Sequence, residues 1–123
     1  MSNAVVEYFQ LQWHGELAVI TPASEVENLP PNVIEEAARM ILTPLRDRTP
    51  SGLIVDLSAV NHFSSEFISF LLRCHLILKP RGYEMVLAGV SPRIRELLTQ
   101  TNLDTIWAIY PSRSEAMAIM RGE

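Results

Sequence analysis

Apolar positions recur along this chain with two different periods, and their alternation predicts the order of its elements. Residues 5–13 alternate with period two: Val5, Phe9, Leu11 and Trp13 fall on one face, and Tyr8, Gln10 and Gln12 on the other. That is the pattern of a half-buried strand. His14-Gly15 supplies a turn and Leu17 to Ile20 a second strand, so the chain is expected to open with an antiparallel hairpin. A loop of turn formers follows (Thr21, Pro22, Ser24, Asn28, Pro30). Pro31 then suits a first helical turn, where its missing N–H would have been unpaired anyway. Val33, Ile34, Ala37, Ala38, Ile41, Leu42 and Leu45 recur at helical spacing, and Pro44 is expected to kink or end that helix.

After Pro50-Ser51-Gly52, Leu53-Ile54-Val55 is apolar at consecutive positions, as in a strand buried on both faces. The run from Phe67 to Leu78 is apolar nearly all round; its length predicts a helix, closed by Pro80 and Gly82. Met85 to Ala88 reads as a short strand, and Ser91-Pro92 as a cap opening a helix with Ile94, Leu97 and Leu98 on its buried stripe. Ile106 to Ile109 is expected as a last strand. Ser112, with Glu115 three residues on, is a capping box opening a terminal helix through Ala116 and Ile119.

The resulting order, β-β-α-β-α-β-α-β-α, predicts one α/β domain over residues 5–123. Its sheet should be mixed but mostly parallel, with an opening antiparallel hairpin and about four helices. Residues Met1-Ser2-Asn3-Ala4 lack the basic and then apolar regions of a secretory signal and read as an N-terminal tail or tag remnant.

Composition changes this picture little. At 123 residues with 48% apolar content, the chain can bury a normal globular core, and no apolar run reaches membrane-spanning length. Its lone cysteine, Cys74, rules out an intrachain disulfide, fits a reducing cytoplasm and sits among leucines as a buried structural thiol would. A net charge of −4 and scattered Lys and Arg argue against nucleic acid as a partner.

Catalytic signatures are missing. With five glycines, well separated, there is no phosphate loop, and His14, His62 and His75 show no metal-ligand spacing with Cys74. No metal, cofactor or catalytic residue is expected. His62 lies near Ser64 and Ser65, but no third group can be named to orient it as a base. Asp56 ends a central strand, where a phosphoacceptor aspartate of receiver domains would stand, yet the first strand lacks the acidic residues that would hold Mg²⁺.

The segment Asn61-His62-Phe63-Ser64-Ser65-Glu66 joins a buried strand to an apolar helix. Ser64 is a good N-cap, and Glu66 favours the positive end of the helix dipole. Capping alone explains these residues; a hydroxyl at such a junction on the carboxyl edge of a sheet can also be a phosphorylation site.

The stretch Gly52-Leu53-Ile54-Val55-Asp56-Leu57-Ser58-Ala59-Val60, then Ser64-Ser65, then Arg81-Gly82-Tyr83-Glu84-Met85-Val86-Leu87-Ala88-Gly89-Val90-Ser91-Pro92, resembles STAS domains. These include the anti-sigma-factor antagonists and the scaffold proteins of bacterial stressosomes. The resemblance implies a STAS-like fold and a cytoplasmic regulatory domain without enzymatic activity. It also implies a phosphoacceptor in the second helix, which a gapless alignment back from Gly82 places on Ser65. The family's aspartate then falls on Ser64, its small residue on Glu66 and its glycine on Phe67. The implied partner is a serine kinase/anti-sigma factor or another STAS protein, bound through Asn61, His62, Ser64 and Glu66, with Arg73 and Lys79 as further polar contacts. Two alternatives to a switched antagonist stay open, a non-switching scaffold and an accessory subunit of a lipid-transport ATPase. Pairing of the hairpin edge with a second copy stays open too.

Overall fold

The computed structural model describes residues 4–6 and 8–122. These form a six-stranded sheet in which spatial order equals chain order. Strands β1 (Ala4–Val6), β2 (Phe9–His14) and β3 (Leu17–Pro22) are antiparallel neighbours. Strands β4 (Gly52–Asp56), β5 (Glu84–Ala88) and β6 (Ile109–Tyr110) continue the sheet from β3 in parallel. The crossovers carry helices α1 (Pro31–Asp47), α2 (Ser65–Leu78) and α3 (Pro92–Gln100), and α4 (Arg113–Met120) follows β6.

Strand pleating divides the core. Ala18, Ile20, Leu53, Val55, Met85 and Leu87 meet the apolar stripes of α1, α2 and α3 in the main cluster. Their alternates Val19, Ile54, Val86 and Ala88 face the other way, onto Ala116 of α4. Crossovers of one hand, adding strands always on the same side, put the three connecting helices on one face. The second face is left to α4. At the centre of the main cluster Phe9, Phe63, Phe67 and Phe70 pack ring against ring, with centroids 4.9–6.2 Å apart.

Three expectations are corrected. The alternating run 5–13 is not one strand: β1 pairs back on β2 with Val6 opposite Phe9, and Tyr8, just before β2, takes a φ of +75°. Val5 is therefore paired with Gln10 in the neighbouring strand rather than continuing the strand of Phe9, Leu11 and Trp13. Pro44 does not end α1, which runs on to Asp47; Thr43 and Thr49 cap carbonyls one turn back with their hydroxyls, and Arg48 N–H reaches the Pro44 carbonyl. The last strand, expected over Ile106–Ile109, is only Ile109–Tyr110, so the run contributes a single paired residue. Before them the chain makes a 3₁₀ turn, Leu103–Thr105, which drops Trp107 into the core against His75 with ring centroids 6.1 Å apart. Packing of one large ring overrides the strand propensity of its neighbours. Of the N-terminal tail, Met1 to Asn3 lie outside the described residues, and Ala4 opens β1.

Cys74 is fully buried, and burial pushes its thiol well above the ordinary range, so it stays protonated and structural.

Two measurements check this core. Phe67→Ala, which empties the centre of the ring cluster, should lower unfolding free energy in urea by about 3–5 kcal/mol. For His75, burial and then the charge of Lys79 lower the pKa below 6.5. The unfolded chain therefore takes up a proton that the native chain resists. Stability should fall as pH drops below 6.5 towards the folded value, and His75→Gln should flatten that slope in melts across pH.

Candidate functional site

The carboxyl ends of β4 and β5 carry the residues of interest. Leu57 N–H bonds the Ala88 carbonyl at 2.8 Å and Val60 N–H the Leu57 carbonyl at 3.0 Å, turning the chain out of β4. Val60 and Phe63 are buried and tack the loop to the core, leaving Asn61 and His62 exposed. The Asn61 N–H donates to Glu27 Oε2 at 3.2 Å, tying this loop to the 3₁₀ turn Ser24–Asn28.

Ser64 and Ser65, adjacent in sequence, have separate employment. Ser64 is the N-cap of α2: its Oγ accepts from Phe67 N–H at 3.2 Å, satisfying one of the free amides of the first turn. Ser65 is exposed, and among the described residues its Oγ donates only to Glu66 Oε2, at 3.2 Å. It opens on a cleft of about 170 Å³ between α1 and α2, lined also by Glu35, Ala38, Glu66, Ser69, Phe70 and Arg73. Arg73 makes no ion pair or hydrogen bond among the described residues, whereas Glu36 and Arg39 beside it pair with each other. The fold thus brings Arg73 to the Ser65 cleft. Lys79 stands at the far end of α2, away from it. Glu35 and Ser69 had no sequence signal of their own; they reach the site only because α1 packs on α2.

Asp56 has a different place. Its side chain is largely buried, with Oδ1 accepting from Ser58 N–H at 3.1 Å. Its Oδ2 accepts from Arg113, with Nε at 3.0 Å and Nη2 at 2.9 Å. The same guanidinium donates to Gln12 Oε1 at 3.3 Å and Thr21 Oγ1 at 2.6 Å, linking α4 to β2, β3 and β4. Both carboxylate oxygens are occupied by structural bonds, which leaves the geometry of a receiver phosphoacceptor without support. Arg113 escaped the reading of the sequence. Its signal was a cation in the first turn of a helix, where the dipole opposes it unless a carboxylate is near.

His62 makes no hydrogen bond among the described residues, so no Ser–His pair is assembled in this conformation. Among these residues no group of three or more His, Cys, Asp or Glu could hold a metal ion, and no helix is long and apolar enough to cross a membrane.

A sheet layered by three helices on one face, with a solvent-facing hydroxyl where its central strand hands over to the second helix, defines a small α/β domain organised around that junction. The sequence matches the STAS domain model over residues 14–116, and the chain belongs to the STAS family. No curated protein matches the sequence. Among solved structures it is similar to an anti-sigma-factor antagonist (STAS) domain protein from Planctomyces limnophilus, with 26% identity and a TM-score of 0.79 over 91% of this chain and 96% of that one. The anti-sigma factor antagonist SpoIIAA in its unphosphorylated form shares 20% identity, with a TM-score of 0.79 over 94% and 97% of the two chains. The Bacillus cell fate determinant SpoIIAA in the phosphorylated form shares 19%, with a TM-score of 0.71 over 91% and 98%.

The division of labour between the two serines is directly measurable. Ser64→Ala should cost about 1 kcal/mol of stability through the lost cap, and Ser65→Ala less than about 0.5 kcal/mol, both read from urea unfolding.

Proposed function

We propose that residues 5–123 act as one regulatory docking domain of bacterial cytoplasmic signalling, resembling the anti-sigma-factor antagonists, with Ser65 as its phosphorylation switch. The observation that carries this reading is the exposed Ser65 hydroxyl, held among the described residues only by Glu66, at the mouth of the α1–α2 cleft. Membership of the STAS family and the likeness to SpoIIAA, described in phosphorylated and unphosphorylated forms, support it.

The partner, a serine kinase/anti-sigma factor or another STAS protein, would contact the loop through Asn61, His62, Ser64 and Glu66 and the adjoining face of α2. A phosphate on Ser65 brings nearly two negative charges to a mouth that already holds Glu35 and Glu66. A partner fitted to the neutral hydroxyl would lose that contact and face an added desolvation penalty. Glu66 also favours a second reading, a fixed scaffold. Its carboxylate keeps a permanent charge against the Ser65 hydroxyl, which would blunt the contrast on which a switch depends.

One experiment separates the two. The chain is isolated from its native cell, its phosphorylation mapped by mass spectrometry, and its co-purifying protein titrated against wild type, Ser65→Ala and Ser65→Asp. The switch predicts phosphate on Ser65 and at least about tenfold weaker binding by Ser65→Asp, equivalent to about 1.4 kcal/mol. Equal binding by all three, with Ser65 unmodified across growth and stress conditions, would leave the fixed scaffold.

A further inference from the structure

The helix on the second face of the sheet is lightly held by apolar contact. α4 is eight residues long and fully buries only Ala116, with Met117 and Met120 partly covered, whereas α1 buries six residues and α2 five. Its polar attachment is correspondingly heavy. Arg113 reaches Asp56, Gln12 and Thr21 from the first residue of α4. With Asp56 released, the same cation would sit unfavourably at the positive end of its own helix.

Asp56 carries a second load. While Oδ2 holds Arg113, Oδ1 holds the Ser58 amide, near the start of the loop that leads to Asn61 and Ser65. A carboxylate is planar, so a rotation that frees one oxygen displaces the other. Little room exists for such a rotation. Gly89, at φ +67°, lies against the carboxylate so closely that a Cβ there would meet Asp56 Oδ1 at 3.1 Å and Ser58 Cβ at 3.0 Å.

We propose that Asp56 couples the two faces of the domain: docking of α4 through Arg113 sets the conformation of the loop 57–64, and release of α4 loosens it. α4 thereby acts as a latch through which an event on the second face changes the surface presented beside Ser65. The coupling concerns this chain's own elements and stands whether or not Ser65 is phosphorylated. Because coupling between two sites is reciprocal, a disturbance at the loop must also loosen α4.

Residue-resolved amide hydrogen exchange on the full chain tests this. Arg113→Ala should speed exchange at Ser58 and Val60 about tenfold, together with Ala116 and Arg121 of the α4 region, while Leu53 to Val55 and Ile41 to Leu45 keep their rates. Ser58→Pro removes the amide that Asp56 Oδ1 accepts, at the second position of the turn closed by Val60 N–H on the Leu57 carbonyl, where proline is favoured; it should speed Ala116 and Arg121 by a similar factor. Should Arg113→Ala fail to fold, Thr21→Val removes one acceptor of the guanidinium and should give the same pattern at smaller amplitude. Acceleration confined to α4 in the Arg113 or Thr21 variant would overturn the coupling. So would a uniform rise that includes β4 and α1, or an unchanged α4 in Ser58→Pro.

Discussion

A strand buried on both faces can carry a charge at its end only if that charge is paired, and β4 is such a strand. Leu53, Ile54 and Val55 are fully enclosed, and the next residue is Asp56. Its carboxylate cannot be left without donors at that depth. The chain meets the requirement by folding a loop amide onto one oxygen and a guanidinium from the last helix onto the other. Much of the local architecture follows from that need. The loop must turn tightly enough for Ser58 to point back, position 89 must be small enough to pass alongside, and α4 must begin where an arginine can reach three strands. The junction that displays Ser65 is therefore set by the chemistry of a neighbouring buried charge as well as by its own caps.

Most of the layering was legible in the residues. Consecutive apolar positions marked β4, helical spacing marked α1, and Ser64, Ser91 and Ser112 each stand at the N-cap where their type and spacing placed them. Where the structure departs from the expected elements, pairing or packing overruled a pattern that does not encode it. The period of two runs on from β1 into β2, so alternation alone could not reveal that the one strand pairs back on the other. Ile106 to Ile109 has strand composition, but Trp107 is taken by the core beside His75. At the site, the loop was readable because it is contiguous. The Arg113 contacts join residues up to 101 positions apart and have no local signature.

The cleft between α1 and α2 has an electrostatic character that neither helix possesses alone. Glu36 and Arg39 neutralise each other on α1, so the charges left lining the cleft with Ser65 are Glu35, Glu66 and Arg73, which makes no ion pair among the described residues. Among the described residues, Arg73 is the one cation lining a cleft that also holds two carboxylates and the Ser65 hydroxyl. The cleft is thus polarised without being strongly charged.

The coincidence of spatial and sequence order in the sheet has a consequence for how the protein is made. Each strand from β2 to β6 is laid beside the strand synthesised just before it, so pairing never waits for a segment still inside the ribosome. The exception is the guanidinium of Arg113, which returns to β2, β3 and β4 only after nearly the whole chain has emerged. Nascent chains would thus assemble the layered core first and seal its charged strand end last.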